Sequence, residues 1–232
     1  MKILKEETRT HNIYRIGKFK VGFRKNKSNN CIFVVDENGN KKQIHRIKGL
    51  KIKFKGANST IIIHKPMLKF IDCEIIAADN TNVEIKSSKY YARGLKILTE
   101  RENNSCEIGK DFSCENGCLI LMQKEPNVEV KIGDNCMFGS NIVLRTSDAH
   151  PIYDKETNEL INKGGNIKVG NNVWLGMCVT VLKKTTIADG CVIGTGSIVT
   201  KDCTISDAIY VGTPTKLIKQ NIKWDRKFKD NF

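Results

Sequence analysis

Residues 169–200 read VGNNVWLGMCVTVLKKTTIADGCVIGTGSIVT, and every sixth residue of this stretch is aliphatic. The period continues past the quoted residues to Leu217. Its members are Val169, Leu175, Val181, Ile187, Ile193, Val199, Ile205, Val211 and Leu217. A period of six fits neither an α-helix nor a plain strand, but it is typical of a short strand and a corner repeated along the chain. Three such units would form one triangular coil. The repeat therefore predicts a parallel β-solenoid of stacked coils, whose core consists of columns of inward-pointing side chains.

Small residues mark the corners of this repeat. The residue after each aliphatic position is often glycine, as at Gly170, Gly176 and Gly194. We interpret it as the corner residue, because glycine adopts positive φ at little cost. Four residues after each aliphatic position comes a small or β-branched residue, which we expect to point into the narrow interior.

The nine cysteines are odd in number and contain no C-x-x-C pair. This usage predicts reduced thiols in a cytoplasmic protein rather than a disulfide framework. Cys136, Cys191 and Cys203 fall on the small inward column, so we interpret them as packing residues. Cys114 and Cys118 form only a weak metal-binding pattern and are read as structural, so no metal site is predicted.

Weaker repeats extend the solenoid toward the amino terminus. The segments NSTIIIH from Asn58, TNVEI from Thr81, NSCEIG from Asn104 and PNVEVKIG from Pro126 recur at roughly one coil plus a bulge. Before them, CIFVVDENGNKKQIHRI predicts a hairpin with Asn38-Gly39 as its turn. We therefore expect an N-terminal β cap over 1–50, irregular coils over 51–131, regular hexapeptide coils over 132–217 and a basic tail over 218–232.

Composition limits the classes of function. The chain has 232 residues and a formal net charge of +14, which suits an anionic partner and equally suits a lysine-rich compositional habit. Nucleic acid is not expected as a partner, since the lysines are dispersed and no recognition motif is present. The sequence contains no run of about eighteen apolar residues, so no membrane-spanning helix is expected. The first residues do not resemble a secretory signal.

The segment 145–168, RTSDAHPIYDKETNELINKGGNIK, interrupts the period of six. It is polar and offers no inward column, so we expect it to leave the solenoid as a loop. Long ordered loops in compact folds are often functional. This loop holds His150, the one histidine of the regular region, and neutral imidazole is suited to remove a proton near pH 7. Asp148 is a candidate to orient the imidazole, although a turn role for Asp148 is equally consistent with the sequence.

The stretch 169–202, followed by GTPTK at 212–216, resembles the hexapeptide-repeat acyltransferases. Within them it is most similar to the polysaccharide and polysialic acid O-acetyltransferases of capsule biosynthesis, which share the HPIY…N…IN.G loop and the trailing NI.W. Lys184, Ala188 and Thr215 replace the usual Gly, Gly and Ala of the family pattern. The resemblance implies an all-β fold: a left-handed parallel β-helix solenoid with an ejected active-site loop and an N-terminal β-hairpin cap.

The resemblance also implies an acetyl-CoA-dependent transfer to a carbohydrate hydroxyl in a homotrimer. His150 would be the general base, and Trp174 would line the acetyl and pantetheine site. A backbone N–H near Gly176 or Met177 would stabilise the oxyanion. The other residues expected to bind the coenzyme are Thr195, Thr200 and Lys201 along its arm and Lys216 and Lys219 at its phosphates.

Several alternatives remain open at this level. The acceptor is either a polymer or a small molecule, such as a free sugar, an amino-sugar nucleotide or an amino acid. A non-catalytic β-helix scaffold is the alternative from another class. A metal-dependent hydratase on the same solenoid is rejected, since it needs several histidines from adjacent coils. Cys178 is a conceivable nucleophile, but it has no evident partner base.

Overall fold

The computed structural model describes residues 3–7, 11–16, 19–24 and 28–227, with side chains from 28 to 227. Residues 1–2, 8–10, 17–18 and 25–27 of the predicted cap and 228–232 of the predicted tail lie outside the described residues. Among the described residues every regular element is a β-strand, and none belongs to a helix with the length and hydropathy needed to cross a bilayer. The all-β prediction is confirmed.

The strands run in chain order from the amino-terminal antiparallel sheet into the solenoid. They are β1 (Ile3–Glu7), β2 (His11–Ile16), β3 (Phe19–Arg24), β4 (Cys31–Val35), β5 (Lys41–Ile44), β6 (Leu50–Phe54), β7 (Thr60–His64), β8 (Lys69–Ile71), β9 (Cys73–Ala77), β10 (Asn82–Ile85), β11 (Tyr91–Arg93), β12 (Leu95–Thr99), β13 (Ser105–Ile108), β14 (Ser113–Met122), β15 (Glu129–Ile132), β16 (Met137–Arg145), β17 (Ile167–Val169), β18 (Trp174–Leu175), β19 (Thr180–Leu182), β20 (Thr185–Ile187), β21 (Val192–Ile193), β22 (Ile198–Val199), β23 (Ile209–Val211) and β24 (Lys216–Lys219).

From β4 onward, parallel pairing stacks the strands into the three sides of a prism. Side 1 contains β4, β7, β10, β13, β15, β17 and β20. Side 2 contains β8, β11, the first halves of β14 and β16, and then β18, β21 and β23. Side 3 contains β6, β9, β12, the second halves of β14 and β16, and then β19 and β22. Each coil passes from side 1 to side 2 to side 3, so the predicted parallel β-helix is confirmed.

A hairpin covers the first strand of side 1. β5 pairs antiparallel with β4, and Val35 faces Lys41 across a loop that contains the predicted Asn38-Gly39 turn. The Asp36 carboxylate accepts hydrogen bonds from the backbone N–H groups of Asn38 and Asn40. This antiparallel strand occupies an edge that would otherwise invite pairing with another chain. β1, β2 and β3 form a separate antiparallel sheet.

The inward columns match the period of six only as far as Val199. The six aliphatic residues from Val169 to Val199 are buried, whereas Ile205 and Leu217 are exposed. The reason is a shorter last coil. Val169 pairs with Ile187, eighteen positions on, but Ile187 pairs with Cys203, sixteen positions on, so Cys203 takes the inward place expected for Ile205. The prediction that all nine aliphatic positions point inward is therefore wrong beyond Val199.

The glycines after the aliphatic positions have a different role from the one predicted. Gly170 and Gly176 do not have positive φ; the residues that do are Asn172 and Cys178, two positions further on. A Cβ on Gly170 would lie 2.2 Å from Oδ1 of Asp189 in the next coil. These glycines therefore permit close approach between coils, while the left-handed conformation falls on the third residue after the five aliphatic positions from Val169 to Ile193.

Asparagines stack along a corner of the amino-terminal coils. Asn58, Asn80, Asn103 and Asn127 all have positive φ, and their side-chain amides form a ladder of hydrogen bonds from coil to coil. The spacings between them are 22, 23 and 24 residues, against 18 for Asn171 and Asp189 in the regular coils. The four recurrent segments upstream contain β7, β10, β13 and β15, which stack on side 1 at these longer spacings.

The core cysteines pack as predicted. Cys114, Cys118, Cys136, Cys191 and Cys203 are buried and unpaired. Burial raises the pKa of the Cys136 thiol to about 12, which keeps it neutral. Within the described ranges, no group of three or more His, Cys, Asp and Glu side chains is arranged to hold a metal ion.

Candidate active site

The interrupting segment leaves the prism at the corner between side 3 and side 1. Thr146 and Ser147 donate side-chain hydrogen bonds to backbone carbonyls of the preceding coil, at Leu121 and Gln123. Further out, the loop forms a small hairpin in which Tyr153 bridges Leu160. The loop is therefore ordered from its base, although its outer residues are exposed.

Asn162 organises the part of the loop that carries His150. Its side-chain amide donates to the carbonyl oxygen of His150 and to the Asp148 carboxylate, at 2.9 Å each. Its oxygen accepts a 2.7 Å hydrogen bond from the N–H of Ile152. One side chain thus binds the backbone at His150 and at Ile152, and it also binds the carboxylate of Asp148 two residues before the histidine.

Asp148 has partners other than the predicted one. Its carboxylate accepts hydrogen bonds from Nζ of Lys183 and from Asn162, and these bonds hold the pKa of Asp148 below its ordinary value. No hydrogen bond joins Asp148 to the imidazole of His150 in the described part of the chain, so the expected orientation of the ring by Asp148 is corrected. Asp148 instead helps to fasten the loop to the next coil, where Lys183 also binds the carbonyl oxygen of Asn162. The His150 side chain is exposed, and its ring makes no hydrogen bond within residues 28–227.

Trp174 lies elsewhere, on the outer surface of side 2. It is the first residue of β18, it stacks between Met137 and Val192 of the adjacent coils, and 38% of it is exposed. The second tryptophan, Trp224, is buried against it with a ring-centroid distance of 6.0 Å. Trp174 is thus a partly exposed aromatic surface two residues before Gly176, and its place at the acetyl site stays a prediction.

The residues after β24 run back along the prism as a strap, which we define as residues 222–227. The N–H of Ile222 binds the carbonyl of Asp207, and Nε1 of Trp224 donates to the carbonyl of Asn172 at 2.7 Å. Arg226 contacts Cys136 in the coil that precedes the coil of Asn172. The sequence predicts a basic tail that carries Trp224, and the structure shows that the described part of this tail packs along the prism.

A cavity of about 380 Å³ lies on side 2 beside Trp174, toward the amino-terminal coils. Its lining combines aromatic, apolar and polar side chains. The lining residues are Tyr90, Tyr91, Ser113, Cys114, Glu115, Met137, Phe138, Gly139, Trp174 and Arg226. Aromatic faces next to a few polar groups are typical of ligand pockets.

The corner after Trp174 contains three predicted coenzyme residues. Gly176 is buried, and its N–H is already bonded to the carbonyl of Ile193 at 2.8 Å, so it is not available to an oxyanion. The N–H of Met177 has no acceptor among the described residues, and its side chain is exposed. Thr195 lies directly over Gly176 in the next coil. Of the two predicted oxyanion donors, only Met177 therefore has a free N–H.

The two predicted phosphate-binding lysines lie on the same side as Trp174. Strand register connects Trp174 to Val192, Val192 to Ile209 and Ile209 to Lys219. Lys216 follows Val211 in the adjacent column. With about 4.8 Å between neighbouring strands, Lys219 lies about 14 Å from Trp174 along the prism.

The predicted site residues form two groups that one chain does not bring together. Asp148 and His150 lie at the corner between sides 3 and 1, and Thr200 and Lys201 continue that corner after β22. The second group lies on side 2 and its following corner, and it comprises Trp174, Gly176, Met177, Thr195, Lys216 and Lys219.

Sequence reasoning missed the residues that position these groups. Asn162 and Lys183 hold the His150 loop, whereas Trp224 and Arg226 adjoin Trp174 and the cavity. A signal existed for two of them. Asn162 is in the IN.G part of the loop motif and Trp224 ends the NI.W motif, but neither pattern indicates a contact.

Comparisons with known proteins agree with this geometry. Residues 166–201 match the family model described as bacterial transferase hexapeptide (six repeats). The chain is 32% identical over 193 residues to a polysialic acid O-acetyltransferase of Neisseria meningitidis, covering 75% of this chain and 88% of that protein. It is 30% identical over 164 residues to the galactoside O-acetyltransferase of Escherichia coli (strain K12), covering 68% of this chain and 71% of that protein.

A solved structure extends the likeness to three dimensions. The crystal structure of the polySia specific acetyltransferase NeuO is similar to this one with a TM-score of 0.67 and 29% sequence identity. The similar region covers 88% of this chain and 81% of that chain. The solenoid is a left-handed β-helix of the hexapeptide type, as predicted.

Proposed function

Because the chain belongs to the hexapeptide-repeat acyltransferases, we propose that it transfers an acetyl group from acetyl-CoA to a sugar hydroxyl of a surface polysaccharide, of capsular or lipopolysaccharide type. One observation carries the proposal. Asn162 of the loop forms hydrogen bonds with the backbone at His150 and Ile152. The imidazole of His150 is exposed and forms no hydrogen bond in the described chain. A group that must take a proton from a substrate needs this combination of fixed backbone and accessible ring.

His150 acts as the general base. Its neutral imidazole accepts the proton of the acceptor hydroxyl while the oxygen forms its bond to the acetyl carbon. The carbon–sulfur bond of the thioester breaks, and the imidazolium returns the proton to the departing thiolate. Since a thiolate is a good leaving group, direct transfer requires no acyl-enzyme. The N–H of Met177 is the donor that stabilises the negative carbonyl oxygen.

Residues of side 2 fit the chemistry of the donor substrate. Coenzyme A combines an amphipathic arm with phosphate charges, and it supplies the activated acetyl group. Trp174 and Met177 offer exposed apolar surface for the arm near the thioester. The exposed Lys216 and Lys219, about 14 Å along the same side, offer positive charge for the phosphates. Thr195 lies at the corner beside the arm.

The complete site forms between subunits of a homotrimer. His150, with Thr200 and Lys201, belongs to one corner, while Trp174 belongs to another side, so a second copy must bring them together. Two surfaces support this assembly. The loop exposes Ile152, Tyr153 and Ile161, which are apolar. Side 3 also presents apolar outward residues, which are Ile76, Leu98, Leu119, Leu121, Val143, Leu182 and Ile198, while charged outward residues such as Lys51, Glu74 and Lys96 lie toward its amino-terminal coils.

The cavity on side 2 is the proposed acceptor site. It lies on the amino-terminal side of Trp174, opposite the lysines assigned to the coenzyme. Tyr90, Tyr91 and Trp174 offer aromatic faces for sugar rings, and Ser113 and Glu115 offer hydrogen-bonding groups. The net charge of +14 favours an anionic polymer as acceptor. We place the reaction in the cytoplasm, where acetyl-CoA is available.

A small sugar is the second candidate acceptor. The similarity to a galactoside O-acetyltransferase over 71% of that protein favours it. Both acceptors use the same loop and the same donor, so only the acceptor distinguishes them.

Acetyl transfer is tested with labelled acetyl-CoA and a panel of capsular polymers, their oligosaccharides and free sugars. The expected result is label in a polymer that is released as acetate by mild alkali, as for an ester. Label in free galactosides alone would support the second candidate. Label in none of the acceptors, at enzyme and donor concentrations that give turnover with a characterised O-acetyltransferase, would contradict the proposal.

A further inference from the structure

The strap of residues 222–227 touches both the cavity and Trp174, and no step of the proposed reaction uses it. We propose that it is a positioning element of the transferase site: Trp224 fixes the ring of Trp174, and Arg226 fixes the strap. The inference rests on the proposed function, because it assigns a role in that reaction. Trp224 is a positioning residue, since it acts through Trp174.

Arg226 fastens the strap to two coils of the solenoid. Nη1 donates to the Ser113 hydroxyl at 2.6 Å, and Nη2 donates to the carbonyls of Asp111 and Cys136 at 3.0 and 2.8 Å. Nε donates to Oδ1 of Asn135 at 3.3 Å. A guanidinium is suited to this work, because its planar fork of donors serves several acceptors at once.

The guanidinium of Arg226 also packs on an aromatic ring. Its central carbon lies 4.2 Å from the centroid of the Tyr90 ring, which is within the range of a cation–π contact. Tyr90 and Arg226 both line the cavity on side 2. The residue that anchors the strap is therefore also a wall of the proposed acceptor site.

Trp224 is two residues before Arg226 and is 9% exposed. Its Nε1 donates to the carbonyl of Asn172, which precedes Trp174 by two residues in the same coil. The two indole rings are tilted by 45° at a centroid distance of 6.0 Å, which is within the range of favourable aromatic pairs. One indole thus binds both the backbone before Trp174 and the ring of Trp174.

Loss of the Trp224 side chain should affect the rate of acetyl transfer more than it affects folding. β18 contains only Trp174 and Leu175, and a side chain on the outside of the prism is not packed in the core. Without Trp224, the Trp174 ring would lose a large contact and gain rotational freedom. A misplaced ring would leave the acetyl carbonyl poorly aligned with the attacking hydroxyl. A loss of alignment of this kind costs about tenfold to a hundredfold in rate.

The kinetic test compares Trp224→Ala and Trp224→Phe with wild type. We expect Trp224→Ala to lower kcat about tenfold at saturating substrates, and Trp224→Phe to retain at least about half of kcat because a ring remains. Lys223→Ala is the matched control, since Lys223 is an exposed neighbour in the same strap. A folded Trp224→Ala enzyme with kcat within about twofold of wild type would overturn the inference. Arg226→Lys should lower kcat in the same direction as Trp224→Ala.

A second measurement needs no activity. The chain has two tryptophans, so Trp174 is the sole tryptophan of both Trp224 variants. Time-resolved fluorescence anisotropy should show a restrained Trp174 ring in Trp224→Phe and a fast local motion in Trp224→Ala. Equal motion in the two variants would overturn the positioning role. If wild type transfers no acetyl group, the proposed function fails, while the anisotropy result still decides whether the strap restrains Trp174.

Discussion

The corner that carries His150 and the side that carries Trp174 are held in place by different interactions. Asn162 and Lys183 fix the histidine loop through hydrogen bonds in a largely exposed setting. The Trp174 side is fixed by strand stacking and by a buried indole that packs against it. One region positions its functional group by hydrogen bonds to the backbone, and the other does so by contact area.

The proposed roles of the two groups account for this difference. A general base would need a free ring nitrogen, and the loop binds the main chain around His150 without binding its ring. A surface that supports an acyl chain needs no free polar atom, so it is stabilised by packing. Each region lacks what the other supplies, which supports a site shared between two copies of the chain.

Removal of the imidazole should have the largest effect. His150→Ala is expected to lower kcat at least about a hundredfold, since a missing general base costs this much or more. The variant should still fold, because His150 is exposed and lies outside the inward columns. Steady-state kinetics and thermal unfolding check both statements, with His45→Ala as an exposed histidine control. Near-normal turnover in His150→Ala would contradict the proposed mechanism.

Replacement of the aromatic surface should have the next largest effect. Trp174→Ala is expected to lower kcat about tenfold by misplacing the acetyl carbonyl.

Mixing the His150→Ala and Trp174→Ala chains then tests whether the two regions meet between subunits. If His150→Ala and Trp174→Ala chains assemble at random in closed trimers, about a quarter of the interfaces combine two intact regions. Co-assembled protein should regain about that fraction of wild-type activity. If the activity is no higher than the average of the His150→Ala and Trp174→Ala proteins, both regions belong to a site within one subunit.

The solenoid could be read from the sequence because its packing is periodic. The period of six directly predicts the inward column from Val169 to Val199. A side chain in such a column is surrounded by the same column residues of the coils above and below it, so it is buried. The same rule failed at Ile205, since the last coil is two residues shorter on side 1 and places Cys203, not Ile205, next to Ile187.

For the site, the sequence proposes candidate residues but does not give the contacts between them. His150 was identified by its place in an interrupting loop, and Trp174 by its family motif. The partner of Asp148 depends on how the loop folds back onto Lys183, a contact 35 residues away. Likewise, Trp224 meets Trp174 only because the tail reverses along the prism. Contacts made by aperiodic segments have no period to predict them.

Loosening the loop without removing His150 should have a smaller effect. Asn162→Ala removes the donor to the His150 carbonyl and the acceptor for the Ile152 N–H. A net contribution of about 1 kcal/mol from such bonds predicts a fall in kcat of about fivefold. The KM for acetyl-CoA should not change, because Asn162 binds only residues of the loop and Lys183, and none of these is assigned to the coenzyme. Glu159→Ala, at the exposed end of the same loop, is the control. An unchanged kcat in Asn162→Ala would show that the loop is held without this side chain.

The smallest effect is expected from the charges at the far end of side 2. Lys216 and Lys219 are exposed, so each is worth at most about 1 kcal/mol to a bound phosphate. The double variant Lys216→Ala with Lys219→Ala should raise the KM for acetyl-CoA about threefold and leave kcat nearly unchanged, because the lysines lie about 14 Å from Trp174. Screening should shrink the difference from wild type as salt increases. Kinetics at two ionic strengths, with the exposed Lys223→Ala as control, measure this. If the double variant instead loses turnover at saturating acetyl-CoA, the coenzyme does not extend from Trp174 toward β24.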